Sequence, residues 1–169
     1  PMDKPQEKNR QTLIKMIERL DHEIGRVLQT LNDKKLADNT LVILTSDNGG
    51  EQKIARNLPL SGAKQMLSEG GIRVPLILRW PVMLPAGREF SMPISAMDLT
   101  ATIATAAGVK PAPTKLFDGV DLVPALNGKL ELGYNRPLFF RRRNVSVREG
   151  LNAIRQSACL LYTSDAADE

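Results

Sequence analysis

Residues 40–51 read TLVILTSDNGGE, and how that stretch is read decides the fold. A β-branched and aliphatic run, Leu41-Val42-Ile43-Leu44-Thr45, passes without a polar break into Ser46-Asp47-Asn48-Gly49-Gly50. Such a run predicts a strand over Thr40 to Thr45, buried on both faces. Its ending has two readings. Asp, Asn and Gly are the usual chemistry of a tight turn between strands. The carboxyl end of a parallel strand is also where open α/β sheets place their ligands.

Upstream, Leu13, Ile17, Leu20, Ile24, Val27, Leu28 and Leu31 recur at intervals of three and four, with charged residues between them. This spacing predicts one amphipathic helix from about Arg10 to Lys35. A helix, a short polar link and a strand form half of a βαβ unit, which favours a parallel sheet. Downstream, Ser46 to Gly71 is rich in Gly, Asn, Ser and Lys, a length of loop that compact domains keep for function. A second strand is expected over Val74 to Arg79, ended by Trp80-Pro81. Ser95-Ala96-Met97-Asp98 has capping-box spacing and opens a helix that Gly108 should stop. A helical turn is expected across Val120 to Asn127, and a strand over Leu138 to Phe140.

The chain has 169 residues, 42% hydrophobic and 25% charged, enough for about one globular domain. No apolar run is long enough to span a bilayer. The net charge is +4, but the basic residues are dispersed and aromatics make up only 4%. Nucleic acid is therefore not an expected partner. Arg141-Arg142-Arg143 is read as a solvated turn after a strand. The single cysteine, Cys159, excludes an intrachain disulfide. It opens CLLYTSDAADE, residues 159–169, which resembles translated sequencing-adapter DNA in one continuous frame and is taken as a non-native tail. Pro1 reads as a break inside a longer protein.

Asp47 and Asn48 offer hard oxygen ligands suited to Ca²⁺ or Mg²⁺, and the two glycines let the backbone turn beside an ion. Taken alone, this set still reads more readily as a plain turn. Lys64, after Ser61-Gly62-Ala63, would partner a tetrahedral anion beside such an ion, although most loop lysines are merely solvated. His22 is the only histidine, and its neighbours Asp21 and Glu23 splay around the helix, so it is given no catalytic role.

The order of the pieces weighs more than any one of them. TLVILTSDNGG (40–50), NLPLSGAK (57–64), EGGIRVPLILRWP (69–81), SAMDLTATIATAAGV (95–109) and FDGVDLVPALNG (117–128) together resemble the C-terminal half of the sulfatase catalytic domain. The resemblance runs from about Leu13 through Phe140. It implies an α/β fold, part of an alkaline-phosphatase-like α/β/α sandwich over residues 1–130. The start of a C-terminal subdomain would follow over 131–158. It also implies hydrolysis of sulfate esters by a formylglycine hydrate, with Ca²⁺ or Mg²⁺ holding the nucleophile and the sulfate oxygens. Asp47 and Asn48 match the family's metal pair, Lys64 matches its sulfate-contacting lysine, and Arg73 is expected to be mainly structural. The implied partner is a sulfated small molecule or glycan.

The family's Pro-Leu-Arg-Gly-Gly-Lys is altered here at Ser61 and Ala63, and Gln65-Met66 follow Lys64. No Cys/Ser-x-Pro-x-Arg nucleophile motif occurs. Ser91-Met92-Pro93-Ile94-Ser95 has serine in place of the arginine. A phosphodiester or phosphonate monoester hydrolase of the same superfamily and a non-catalytic binding protein on this fold are the alternatives. Family members are often periplasmic, secreted or lysosomal; these residues assign the chain to no compartment and no oligomeric state.

Overall fold

The computed structural model describes residues 4–109, 116–129, 136–143, 150–156 and 159–164. The subdomain boundary expected at 130–131 and the last five residues of the tail lie outside them.

The first helix, α1 (Lys4–Asp33), carries the apolar period from Leu13 to Leu31 and begins about a turn and a half earlier than expected, through a polar first segment. Arg19 and Arg26 pair with Glu23 on its surface, at 2.5 and 2.6 Å. Its end is a Schellman motif: the Leu36 amide donates to the Leu31 carbonyl at 2.8 Å and the Lys35 amide to the Asn32 carbonyl at 2.9 Å. Lys35, at φ 57°, occupies the left-handed position that usually goes to glycine. The apolar stripe of α1 is only partly covered: Leu13, Ile24, Leu28 and Leu31 are half-buried. Ile17, Leu20 and Val27 are 56%, 57% and 60% exposed.

A 3-10 turn, Ala37–Asn39, leads into β1 (Val42–Thr45). The second strand, β2 (Leu76–Arg79), pairs with β1 antiparallel, in the register Val42↔Arg79 through Thr45↔Leu76. The parallel arrangement expected from the helix–strand order is therefore corrected. No crossover helix carries the chain back between the two strands. Instead the segment after Thr45 folds over the carboxyl end of β1, so β2 begins where β1 stops, and only antiparallel pairing fits that return. Burial on both faces is corrected as well. Leu44 and Ile77 lie opposite each other on one face of the ribbon and both are exposed. Arg79 and Trp80 then tie the ribbon to the 3-10 turn, donating to the Ala37 carbonyl at 3.0 Å and to Asn39 Oδ1 at 3.1 Å.

The best-packed region forms around α3 (Ala96–Ala106), which follows the one-turn helix α2 (Glu69–Ile72) and the second strand. The capping box appears as expected, the Ser95 amide donating to Asp98 Oδ2 at 2.8 Å. Gly108, at φ 74°, ends the helix in a second Schellman motif. The expected turn across Val120 to Asn127 narrows to α4 (Val123–Leu126). Leu122 and Ala125 are buried there against Phe90, Met92, Ile94 and Leu99.

Asp98 does more than cap. Its carboxylate is 0% exposed and accepts from Arg136 at 2.7 and 2.5 Å and from the Val120 amide at 2.9 Å. Burial alone would raise its pKa. The hydrogen bonds from Arg136, Ser95 and Val120 outweigh it and hold the group below the ordinary 3.8. Buried Thr102 adds a second tie, donating to the Asp98 carbonyl at 2.7 Å and accepting from the Leu122 amide at 2.9 Å.

A separate antiparallel sheet contains β3 (Leu138–Arg143), β4 (Gly150–Gln156) and β5 (Cys159–Ser164) in that order. The Arg141 to Arg143 triplet is thus part of a strand and not a turn after one. Alternation lets Leu138, Phe140 and Arg142 share one face while Phe139 and Arg141 point to solvent. The strand tolerates the charges because only one of its faces is covered.

Candidate metal and anion corner

Beyond β1 the chain is held by close backbone contacts that glycine alone allows. The Gly49 amide donates to the Gly71 carbonyl at 2.9 Å, and a Cβ on Gly49 would stand 1.8 Å from the Gly70 carbonyl oxygen. Gly70 and Gly71 in turn press on the loop before them. A Cβ on Gly70 would meet the Gly62 carbonyl oxygen at 2.2 Å, and one on Gly71 the Met66 carbonyl oxygen at 2.0 Å. Three segments, 47–50, 61–66 and 68–71, therefore stack closely, with the Ser68 hydroxyl packed against Gly62.

Asp47 and Asn48 sit at the mouth of this stack. Asn48 Nδ2 donates to Asp47 Oδ1 at 2.7 Å, and Ser46 Oγ donates to the Asn48 carbonyl at 2.9 Å. The Asp47 side chain is exposed and that of Asn48 half-buried. Lys64 comes back to the same place through its backbone, its amide donating to the Gly50 carbonyl at 2.9 Å. Its side chain is exposed. The three residues singled out in the sequence are thus tied into one corner, although 16 positions separate Asn48 from Lys64 in the chain.

One carboxylate oxygen donor and one amide oxygen donor suit a hard divalent cation in kind. They fall short in number of the six to eight oxygens that Ca²⁺ takes. Among the described residues no group of three or more His, Cys, Asp or Glu converges to complete a shell. The donor set thus matches a calcium or magnesium ion in kind but not in number.

Several supporting residues were not visible in the sequence. Asn57 bonds to Gly50 through both its amide groups and also to the Gly62 carbonyl. Glu51 accepts from the Lys53 and Ile54 amides at 2.8 and 3.2 Å and rounds the next turn. From β3, Arg142 donates to the Gln65 carbonyl, and from β4, Arg155 pairs with Glu69, which also takes Arg73 at 3.2 Å. Arg73 thus has the structural partner expected of it. Ser95 is confirmed as a helix cap, which removes Ser91–Ser95 as a nucleophile motif. His22 lies exposed on α1, against Glu23. Lys53, Arg56 and Lys64 are all exposed on the segment between Asn48 and Ser68, as is Glu51.

The family profile described as Sulfatase matches residues 2–109. An N-acetylgalactosamine-6-sulfatase of Canis lupus familiaris is 39% identical over 132 residues, covering 75% of this chain and 25% of the relative. A steryl-sulfatase of Homo sapiens is 38% identical over 132 residues, covering 73% and 23%. Among solved structures, the crystal structure of Ps i-CgsB in complex with k-i-k-neocarrahexaose superposes with a TM-score of 0.85 at 33% identity. That superposition covers 95% of this chain and 36% of the other. The chain spans about a quarter of the length of the curated relatives it matches.

Proposed function

Because this chain belongs to the sulfatase family and shares the α/β, alkaline-phosphatase-like fold of its solved neighbours, we propose that it supplies the metal corner and the anion-binding lysine of an enzyme that hydrolyses sulfate esters. The observation that carries this reading is the Lys64 amide bonded to the Gly50 carbonyl at 2.9 Å, which returns the lysine loop to the Asp47–Asn48 corner.

Asp47 and Asn48 would hold a calcium ion, with magnesium the alternative; when bound it supplies fixed positive charge against the sulfate oxygens. Asp47 gives the negative charge that retains the cation, and Asn48 adds a neutral oxygen. Lys64 directs its ammonium at a sulfate oxygen, where negative charge grows as the ester bond breaks. A donor fixed in advance needs no reorganisation at that moment, which is why such groups lower barriers more than mobile ones. The nucleophile, a formylglycine hydrate, would come from a Cys/Ser-x-Pro-x-Arg motif that these 169 residues do not contain. The chain by itself is therefore proposed to turn over no aryl sulfate. A sulfated glycan or small sulfate ester as substrate is supported by the relatives' names, by the oligosaccharide in the solved neighbour and by the exposed cations Lys53 and Arg56.

In the complete enzyme that carries this chain, Lys64→Ala should lower kcat/KM for 4-nitrophenyl sulfate by about 100-fold or more. Its unfolding midpoint should stay unchanged, because the side chain is exposed. Near-normal turnover by that variant would refute the assignment. Faster turnover of a phosphate diester than of the sulfate ester by the unaltered enzyme would redirect it to phosphoryl chemistry.

A further inference from the structure

Asn57 lies in the loop between the metal pair and the lysine, half-buried, in a place where an asparagine looks like ordinary turn chemistry. Its bonding is not ordinary. Oδ1 accepts from the Gly50 amide at 3.2 Å, and Nδ2 donates to the Gly50 carbonyl at 3.1 Å. The side chain thus reads both polar groups of one residue, as a neighbouring strand would. Nδ2 also donates to the Gly62 carbonyl at 3.1 Å. Gly50 stands two residues after Asn48, and Gly62 two residues before Lys64. One planar amide therefore bridges the backbone on the metal side to the backbone on the lysine side.

The chemistry demands this residue type. The bridge needs one acceptor and two donors on a single short group. Aspartate has no donor when ionised, and a hydroxyl cannot serve all three partners. Gly50 is shaped for it too: a Cβ there would stand 2.6 Å from Asn57 Oδ1.

We propose that Asn57 is a positioning residue that sets where Lys64 stands relative to Asp47 and Asn48. The proposal deepens the sulfatase reading and rests on it for its catalytic half. A lysine displaced by an ångström loses much of its effect on the transition state while still attracting an anion, so the signature is a fall in kcat with little change in KM.

The test has two parts. In the chain itself, amide hydrogen exchange at Gly50 and Lys64 should speed up at least about tenfold in Asn57→Ala, while amides of Ala101–Ala106 in α3 keep their protection. Unchanged exchange at Gly50 and Lys64 overturns the clamp. In the complete enzyme, Asn57→Ala and the near-isosteric Asn57→Asp should each lower kcat for 4-nitrophenyl sulfate by about 10- to 100-fold. That loss should shrink to less than about threefold when Lys64 is already alanine, because a residue acting through Lys64 has nothing left to position. A full, additive loss in the Lys64→Ala background, or failure of both variants to fold, makes Asn57 a purely structural residue and overturns the proposal. If the unaltered enzyme turns over no sulfate ester, the sulfatase reading itself falls, and the catalytic half of the proposal with it.

Discussion

The loop from Ser46 to Arg73 and the helix α1 are similar in length and opposite in construction. The loop has almost no regular structure, yet its backbone groups find partners within it, and its glycines remove the side chains that would hold the strands of loop apart. The helix satisfies its backbone perfectly well alone but leaves Ile17, Leu20 and Val27 of its apolar stripe in the open. Hydrogen-bond closure can be completed by a short segment; hydrophobic closure requires a second surface. The site corner is chiefly of the first kind, with Arg142 and Arg155 adding ties from distant strands.

That contrast can be broken by substitution. The largest loss should come from Arg136→Ala, in the other locally closed region, where a fully buried Asp98 would lose its charge partner. Urea unfolding should show a cost of about 3–5 kcal/mol, toward the lower figure because Arg136 keeps 24% exposure. The pH dependence has a definite sign. The folded pKa of Asp98 is depressed, so its contribution is fully present above the ordinary 3.8 and is lost as pH falls through the lower folded value. Arg136→Ala should therefore flatten the acid limb of the stability profile below about pH 4.

Gly49→Ala comes next, with a cost of about 3 kcal/mol, because the new Cβ meets backbone atoms that cannot rotate away. Gly25→Ala in α1 should do the reverse. Nothing lies within 4 Å of a Cβ there, so the same chemical change should stabilise the chain by roughly 0.5–1 kcal/mol. Two glycine-to-alanine substitutions of opposite sign, measured by thermal unfolding, would sharpen the comparison. A destabilising Gly25→Ala would break it.

The same division explains what could be read from the sequence. The helix α1 and the Ser95–Asp98 cap were readable because each rests on residues three or four positions apart. The antiparallel pairing of β1 with β2 was not, since it depends on how some thirty intervening residues return to Leu76. Nor was the placing of Arg142 inside a strand, because it rests on pairing with Leu151 of β4, which three consecutive charges do not signal. Asp47, Asn48 and Lys64 were singled out through the order of several motifs, and the structure joins their backbones at Gly50. Asn57, which bridges Gly50 and Gly62, entered only as the first residue of NLPLSGAK; standing before Leu58-Pro59, where any turn would accept an asparagine, it gave no sign of its bonding.

The stacking of Gly49, Gly70 and Gly71 bears on how ancestry and chemistry can part. These residues present no side chain to a ligand, yet they lie within TSDNGG and EGGIR, two of the segments by which the chain is recognised. A descendant could exchange Lys64 or Asp47 and still carry every contact of the stack. Kinship written in these glycines records a scaffold; the surviving trade of each member has to be read from the few exposed groups mounted on it.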